Sequence, residues 1–146
     1  MNVSLTPEEM LSAVIVGARR MIVSATANLK NSAGCGRKWD DEIEGAMAEA
    51  ALARETGNFF DPRVGRYNSK DVGEYHVRQT SLPDGCLIIR DKDPDGKYVL
   101  IVGSLGEYKI AGCIESVKAR DMSQYRRAPN GRPPAWLIPQ QELAPL

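Results

Sequence analysis

Apolar residues recur at three- and four-residue spacing early in the chain, where Leu11, Val14, Ala18, Met21, Ile22 and Ala25 form one stripe. This period marks an amphipathic helix whose apolar stripe packs on the core. Thr6-Pro7-Glu8-Glu9 supplies its start: Thr6 caps the first turn, Pro7 suits the first helical position, and Glu9 completes a capping box. The helix is expected to end near Asn28. Asn31-Ser32-Ala33-Gly34-Cys35-Gly36 then reads as a loop, either a plain connection or a mobile lid. A second helix begins at Asp40 or Asp41 and stops before Gly57, a natural C-terminal cap. Its alanine-rich middle favours close packing on a sheet.

After an irregular stretch from Asn58 to Lys70, the period shortens to two. Tyr75–Thr80 is the first clear strand, with Tyr75, Val77 and Gln79 on one face and His76 and Arg78 on the other. Leu82-Pro83-Asp84-Gly85 is a turn signal, and Cys86-Leu87-Ile88-Ile89 is short and wholly apolar, as in a central strand. The segment from Asp91 to Lys97 reads as a hairpin turn. Tyr98–Val102 is apolar and β-branched, consistent with burial on both faces. Tyr108–Ile114 closes the meander, Val117–Met122 reads as a short helix, and a proline-rich tail ends the chain. The pattern predicts an α+β fold with two N-terminal helices packed on a mostly antiparallel sheet of four to five strands.

The chain has 146 residues, which sets one domain as the default. Within it we distinguish 1–38 (first helix and loop), 39–122 (helix plus strand meander) and 123–146 (basic, proline-rich tail). Formal charge balances at zero, so nucleic-acid affinity must come from a local patch rather than bulk charge. The three cysteines are odd in number and form no Cys-x-x-Cys pair, which argues against a disulfide framework and suits a reducing cytoplasm. The apolar run at Val14-Ile15-Val16 is cut by Arg19 and Arg20, so no membrane span is expected and no signal peptide is visible.

Candidate chemistry centres on Asp71, which stands just before the strand that carries His76 and Arg78. A carboxylate followed by two polar residues on one strand face is a common way to hold a divalent metal beside a phosphate. Glu49 is the second singular residue. Its helical neighbours Gly45, Ala46, Leu52 and Ala53 are small or apolar, so it projects from a face that reads as buried. An unpaired carboxylate there costs on the order of several kcal/mol. It therefore requires a metal, an arginine partner, or an edge position that reaches water.

Other motifs are weaker. Asp91-x-Asp93-x-Asp95-Gly96 copies the first half of a calcium loop, but the twelfth position is Val102 where a bidentate Glu is required. His76 is the only histidine, which excludes multi-histidine sites. No Walker loop, Gly-x-Gly-x-x-Gly or Gly-x-Ser-x-Gly is present. Lys118, Arg120, Arg126, Arg127 and Arg132 form the one local concentration of basic residues, interleaved with Tyr125 and Trp136. Such a patch can contact phosphates and stack on bases, or it is a solvated surface around the tail. Arg78 is a further candidate phosphate contact.

Several of these pieces together resemble a family. Gly45-Ala46-x-x-Glu49-x-Ala51, Asp71-Val72-Gly73-x-Tyr75-x-Val77-Arg78 and Leu87-Ile88-Ile89-Arg90 are similar to small bacteriophage-type proteins of the PD-(D/E)XK nuclease-like superfamily. Val99–Val102, Ala111–Ile114 and Pro129–Trp136 extend the likeness over most of the chain after Trp39. The resemblance implies a restriction-endonuclease-like core in the cytoplasm of a bacterial host. It also implies a site in which Glu49 and Asp71 hold a divalent metal, Mg or Mn. His76 stands where the family has a third carboxylate, and Arg78 where it has a lysine. His76 can ligate a metal but favours Zn, Mn or Ni over Mg. Arg78 keeps a positive charge but cannot act as a base. Glu74 is a reserve ligand if the strand register shifts by one.

Three functions follow. The first is a metal-dependent phosphodiesterase acting on DNA, with Glu49, Asp71 and His76 on the metal and Arg78 on the phosphate. The second is a catalytically silent module of the same fold that binds nucleic acid or a phage or host protein through the basic tail and Trp136. The third is a virion or assembly component that forms defined oligomers such as a homodimer.

Overall fold

The first helix starts where its capping box places it. In the computed structural model, which describes residues 1–28, 38–65 and 69–146, the Thr6 hydroxyl accepts from the Glu9 N–H at 3.3 Å and the Glu9 carboxylate accepts from the Thr6 N–H at 2.8 Å. The elements in order are β1 (Asn2–Ser4), α1 (Pro7–Thr26), α2 (Trp39–Thr56), β2 (Tyr75–Thr80), β3 (Leu87–Arg90), β4 (Lys97–Ser104), β5 (Glu107–Glu115), α3 (Ser116–Arg120), β6 (Arg126–Arg127) and β7 (Ala135–Ile138). Gly57 closes α2 in the left-handed conformation, with φ of 67°. Most of the Asn31–Trp39 loop, Cys35 included, lies outside the described residues. Among those residues no helix is long and apolar enough to cross a membrane.

The α+β class holds, with both N-terminal helices on one side of a mostly antiparallel four-stranded sheet of order β1-β5-β4-β2. The simple meander does not. β3 leaves that sheet and pairs with β7 in a second sheet of order β3-β7-β6. Since the chain makes its β2-to-β4 connection through this excursion, β2 and β4 run parallel, with His76 beside Tyr98 and Arg78 beside Leu100. Residues 91–96 therefore join two sheets rather than close a hairpin. Part of the basic tail is itself a strand: β7 is the middle strand of the second sheet.

The result is three layers, with β4 in the middle and Tyr98 to Val102 buried. One core lies between helices and sheet, where Ala46, Ala50, Leu52, Val99, Ile101, Tyr108 and Ile110 meet. The other lies between the sheets, where Leu87, Ile89, Tyr98, Leu100, Ile114, Trp136 and Ile138 meet. β5's outer edge is covered by both ends of the chain. β1 pairs with Glu107–Lys109, and farther along Cys113 exchanges backbone hydrogen bonds with Ala144 at 2.8 and 2.9 Å. Gly112 permits that second contact, because a Cβ there would sit 2.6 Å from the Ala144 carbonyl oxygen.

The helices correct one expectation about faces. The stripe read as core-facing on α1 is largely outward, with Leu11 62% and Ile22 55% exposed and Ile15 beside them 53% exposed. The buried face is Ala13, Val16, Gly17 and Ser24. α1 packs on α2 rather than directly on the sheet, and small residues let the backbones approach. A Cβ on Gly17 would lie 2.6 Å from the Ile43 Cα. Hydrophobic weight found the helix, but backbone proximity chose its face.

Candidate functional site

Glu49 sits in the buried alanine run of α2 and is only 7% exposed. Its partner is an arginine. Arg20 Nη1 donates to Oε1 at 2.7 Å and Nη2 donates to Oε2 at 2.8 Å, a bidentate pair between the two helices. α1 and α2 run antiparallel, since Gly17 abuts Glu42 and Ile43 while Glu9 pairs with Arg54 farther along. Helical side chains lean toward their own N-termini, so in an antiparallel pair Arg20 and Glu49 lean toward each other. Of the alternatives open for Glu49, the structure takes the arginine. Burial pushes the Glu49 carboxyl up to about 7; the Arg20 hydrogen bonds and charge oppose the shift, and Asp71 and Glu42 add to it. Burial acts to lower the Arg20 guanidinium, but the hydrogen bonds and charge of Glu49, with the charges of Asp71 and Glu42, leave it raised.

Asp71 lies at the open edge of the four-stranded sheet. The backbone turns back there, with Val72 bridging Tyr75 and the Asp71 N–H donating to the Tyr75 carbonyl at 2.8 Å. Asp71 Oδ2 accepts from the Val77 N–H at 2.7 Å. The carboxylate thus occupies a donor that β2, an edge strand, would otherwise present outward. Burial raises the Asp71 pKa, against the Val77 N–H and the charges of Arg78, His76 and Arg20. Arg20 therefore stands in the field of both Glu49 and Asp71. Beside Asp71 an open cleft of about 460 Å³ is lined by Asn58, Phe59, Asp61, Lys70, Asp71 and Gly73.

His76 and Arg78 belong to the opposite face, as their alternation with Tyr75 and Val77 requires. The His76 ring stacks on Tyr98 with centroids 4.7 Å apart and lies against Gly96. Burial lowers its pKa, with the charge of Asp71 opposing. The Arg78 guanidinium lies 4.9 Å from the centre of the Tyr98 ring and donates to Asp93 Oδ2 at 2.9 Å and to the Ile88 carbonyl at 3.3 Å. Arg78 thus ties the edge strand to the β3–β4 connection, and its charge is already engaged. Glu74, the reserve ligand, is exposed and pairs with Lys97 at 3.2 Å.

These positions decide whether a divalent metal fits. Both Glu49 oxygens accept from Arg20, one Asp71 oxygen accepts from the backbone, and His76 is stacked on the far face of the sheet. Among the described residues no group of three or more His, Cys, Asp or Glu side chains is placed to hold a metal ion. The set Glu49, Asp71 and His76, expected to share one Mg or Mn, does not fit that ion as it stands. The acidic connection is no calcium loop either. Asp93 takes Arg78 and the Arg90 N–H, Asp95 takes Arg120, and Asp91 takes Arg126.

The basic concentration divides. Arg120 is spent inside the fold, donating to Asp95 and to the Arg90 and Asp93 carbonyls at 3.2 and 2.6 Å. Arg126 lies 5.0 Å from the centre of the Trp136 ring. Lys118, Arg127 and Arg132 are exposed and make no ion pair among the described residues. They sit on or beside elements that pack together, since α3 contacts β7 and β6 pairs with it. The aromatic part of the expectation fails. Trp136 is 8% exposed in the core between the sheets, and the half-buried Tyr125 donates its hydroxyl to Glu142 at 2.8 Å. Neither presents an open ring for a base.

Sequence reasoning missed Arg20. The signal was present: Ala13, Val16, Gly17, Arg20 and Ser24 share a helix face, and a lone arginine among small residues needs an acid across the seam. Comparison with protein-family models, curated proteins and solved structures finds no match to this chain.

Proposed function

We propose that the protein is a catalytically silent, nuclease-like module that binds nucleic acid through its phosphates. The observation that carries this reading is how the arginines are used. Arg20, Arg54, Arg63, Arg78, Arg120 and Arg126 each face a carboxylate in an ion pair, whereas Lys118, Arg127 and Arg132, on or beside α3, β6 and β7, are exposed without one among the described residues, as is Arg19 on α1. Three unpaired cations on or beside elements that pack together, in a chain with zero net charge, favour a polyanion there. The likeness of the Glu49 and Asp71 segments to nuclease motifs supports the nuclease-like part. The engagement of both carboxylates supports silence rather than hydrolysis.

Binding on this surface is phosphate-directed, because the two aromatic residues interleaved with these cations, Tyr125 and Trp136, present no open ring for stacking. Fluorescence anisotropy with two labelled DNA duplexes of unrelated sequence tests the reading. We expect equal affinities that fall with salt, log K against log salt having a slope of about −3 for three to four phosphate contacts. A plasmid incubated with Mg or Mn stays intact. Absence of any binding at low salt overturns the reading, and so does cleavage that Asp71→Ala abolishes.

A further inference from the structure

Each sheet has an end strand with one long side unpaired by any other strand: β2 ends the four-stranded sheet and β3 ends the three-stranded one. Such edges present N–H and C=O groups to which a strand of another chain can add. In this fold the two edges meet the same arginine. We propose that Asp71, Arg78 and Asp93 form a seal over both edges, made of side chains in place of a further strand, and that a second copy of the chain adds at β2 when the seal is opened. The proposal concerns self-association and is independent of nucleic-acid binding.

Alternation along β2 identifies the outward groups. The Tyr75 N–H donates to the Val72 carbonyl at 2.9 Å, and the Tyr75 carbonyl accepts from the Asp71 N–H at 2.8 Å. The Tyr75 backbone therefore points away from β4, and Val77 and Gln79 follow at two-residue spacing. Side chains take both groups of Val77: its N–H donates to Asp71 Oδ2 at 2.7 Å and its carbonyl accepts from Arg78 Nη1 at 3.2 Å. The same guanidinium crosses to β3. Its Nε donates to the Ile88 carbonyl at 3.3 Å and its Nη2 to Asp93 Oδ2 at 2.9 Å. That Asp93 oxygen also accepts from the Arg90 N–H at 2.9 Å, so the backbone of Arg90, and of Ile88 two residues before it, points away from β7. One planar fork thus holds an outward carbonyl of each sheet, and two carboxylates each hold an outward amide. The Tyr98 ring, 4.9 Å from the guanidinium carbon, backs the fork. With Tyr75 and Val77 closed, Gln79 is the outward β2 residue whose backbone no side chain takes among the described residues. A lone outward residue makes a single bridge; Val77 and Gln79 together make the start of a ladder.

The test uses the purified full-length chain. Molar mass is read by size-exclusion chromatography with light scattering over a range of concentrations, and amide hydrogen exchange by NMR. Wild type is expected to hold one mass throughout. Its Val77 amide is expected to exchange about tenfold or more slower than that of Gln79 after correction for intrinsic rates, the scale of one hydrogen bond to a charged acceptor. Asp71→Ala is expected to bring Val77 exchange to the Gln79 level in dilute protein and to gain mass as concentration rises. Asp71→Asn keeps an oxygen that accepts from the Val77 N–H and is expected to keep the wild-type mass, which separates the hydrogen bond from the charge. A folded Asp71→Ala chain whose mass follows wild type overturns the proposal, and so does association of Asp71→Asn to the same degree as Asp71→Ala. Should Asp71→Ala not fold, exchange in the wild type decides: a Val77 amide as fast as that of Gln79 overturns the seal. None of these outcomes bears on salt-dependent DNA binding, so the seal and the proposed function stand or fall separately.

Discussion

The same side chain does opposite work on the two sides of the central sheet. On the helix side, Arg20 is half-buried, bidentate and committed to Glu49. In β6 of the second sheet and just after the turn that follows it, Arg127 and Arg132 are exposed and make no ion pair among the described residues. Near Glu49 the local medium is poor in water, so breaking the pair leaves a charge with nowhere to go. On the outer surface water and salt solvate each charge, and its value lies in what it attracts. A count of arginines cannot tell these roles apart, whereas burial and partner identity do.

The sharpest way to break this contrast is to remove Arg20. Arg20→Ala should cost about 3–5 kcal/mol in urea unfolding, because a buried carboxylate loses its counter-ion. The paired replacement Arg20→Met with Glu49→Leu should recover most of that loss, since packed apolar residues often match a buried ion pair. A small loss in the single variant would place Glu49 in water and dissolve the contrast.

On the other face of the same sheet, Asp93→Ala leaves Arg78 without its acid and the Arg90 N–H without its acceptor. We expect a loss of about 1–3 kcal/mol in the same unfolding measurement. An effect equal to that of Arg20→Ala would make the two sides energetically alike.

The pH dependence sharpens the buried side. The Glu49 pKa is raised from its ordinary 4.5 to about 7, so the folded state binds more protons than the unfolded one between those values. The Glu49 contribution to stability is therefore full below about 4.5 and is lost as pH rises through about 7. Stability curves of wild type and Glu49→Gln across that window should diverge in this sense, wild type losing stability relative to the variant. Parallel curves would put the carboxyl at its ordinary value.

The smallest effect on stability belongs to the outer surface. Arg127→Ala with Arg132→Ala should change unfolding free energy by no more than about 0.5 kcal/mol, as surface substitutions do. It should also reduce the salt slope of DNA binding by about 2. Destabilisation without a change in slope would assign these cations to the fold.

Much of the architecture was legible because it is local. The capping box at Thr6 and Glu9, the stop at Gly57, the strand at Tyr75–Thr80 and the doubly buried β4 depend on residues a few positions apart. The singularity of Glu49 was legible too, as a carboxylate among alanines. What did not follow was its partner: Arg20 is 29 residues away across a helix seam that hydrophobic periodicity had turned outward.

The amino-acid order by itself determined the start of α1, the stop of α2, the strand at Tyr75–Thr80 and that a buried carboxylate would need an opposing charge, because capping, turn chemistry and side-chain period act over a few residues; the short strands β1 and β6, which depend on partners far along the chain, were not legible. Only the tertiary structure decided that β3 joins β7 rather than β2, that Trp136 lies inside, that His76 and Glu49 face opposite sides of the sheet, and which arginine answers which acid. Those choices depend on the three-layer packing, in which close approach of small residues and solvation of charge outweigh the hydrophobic count of any one segment.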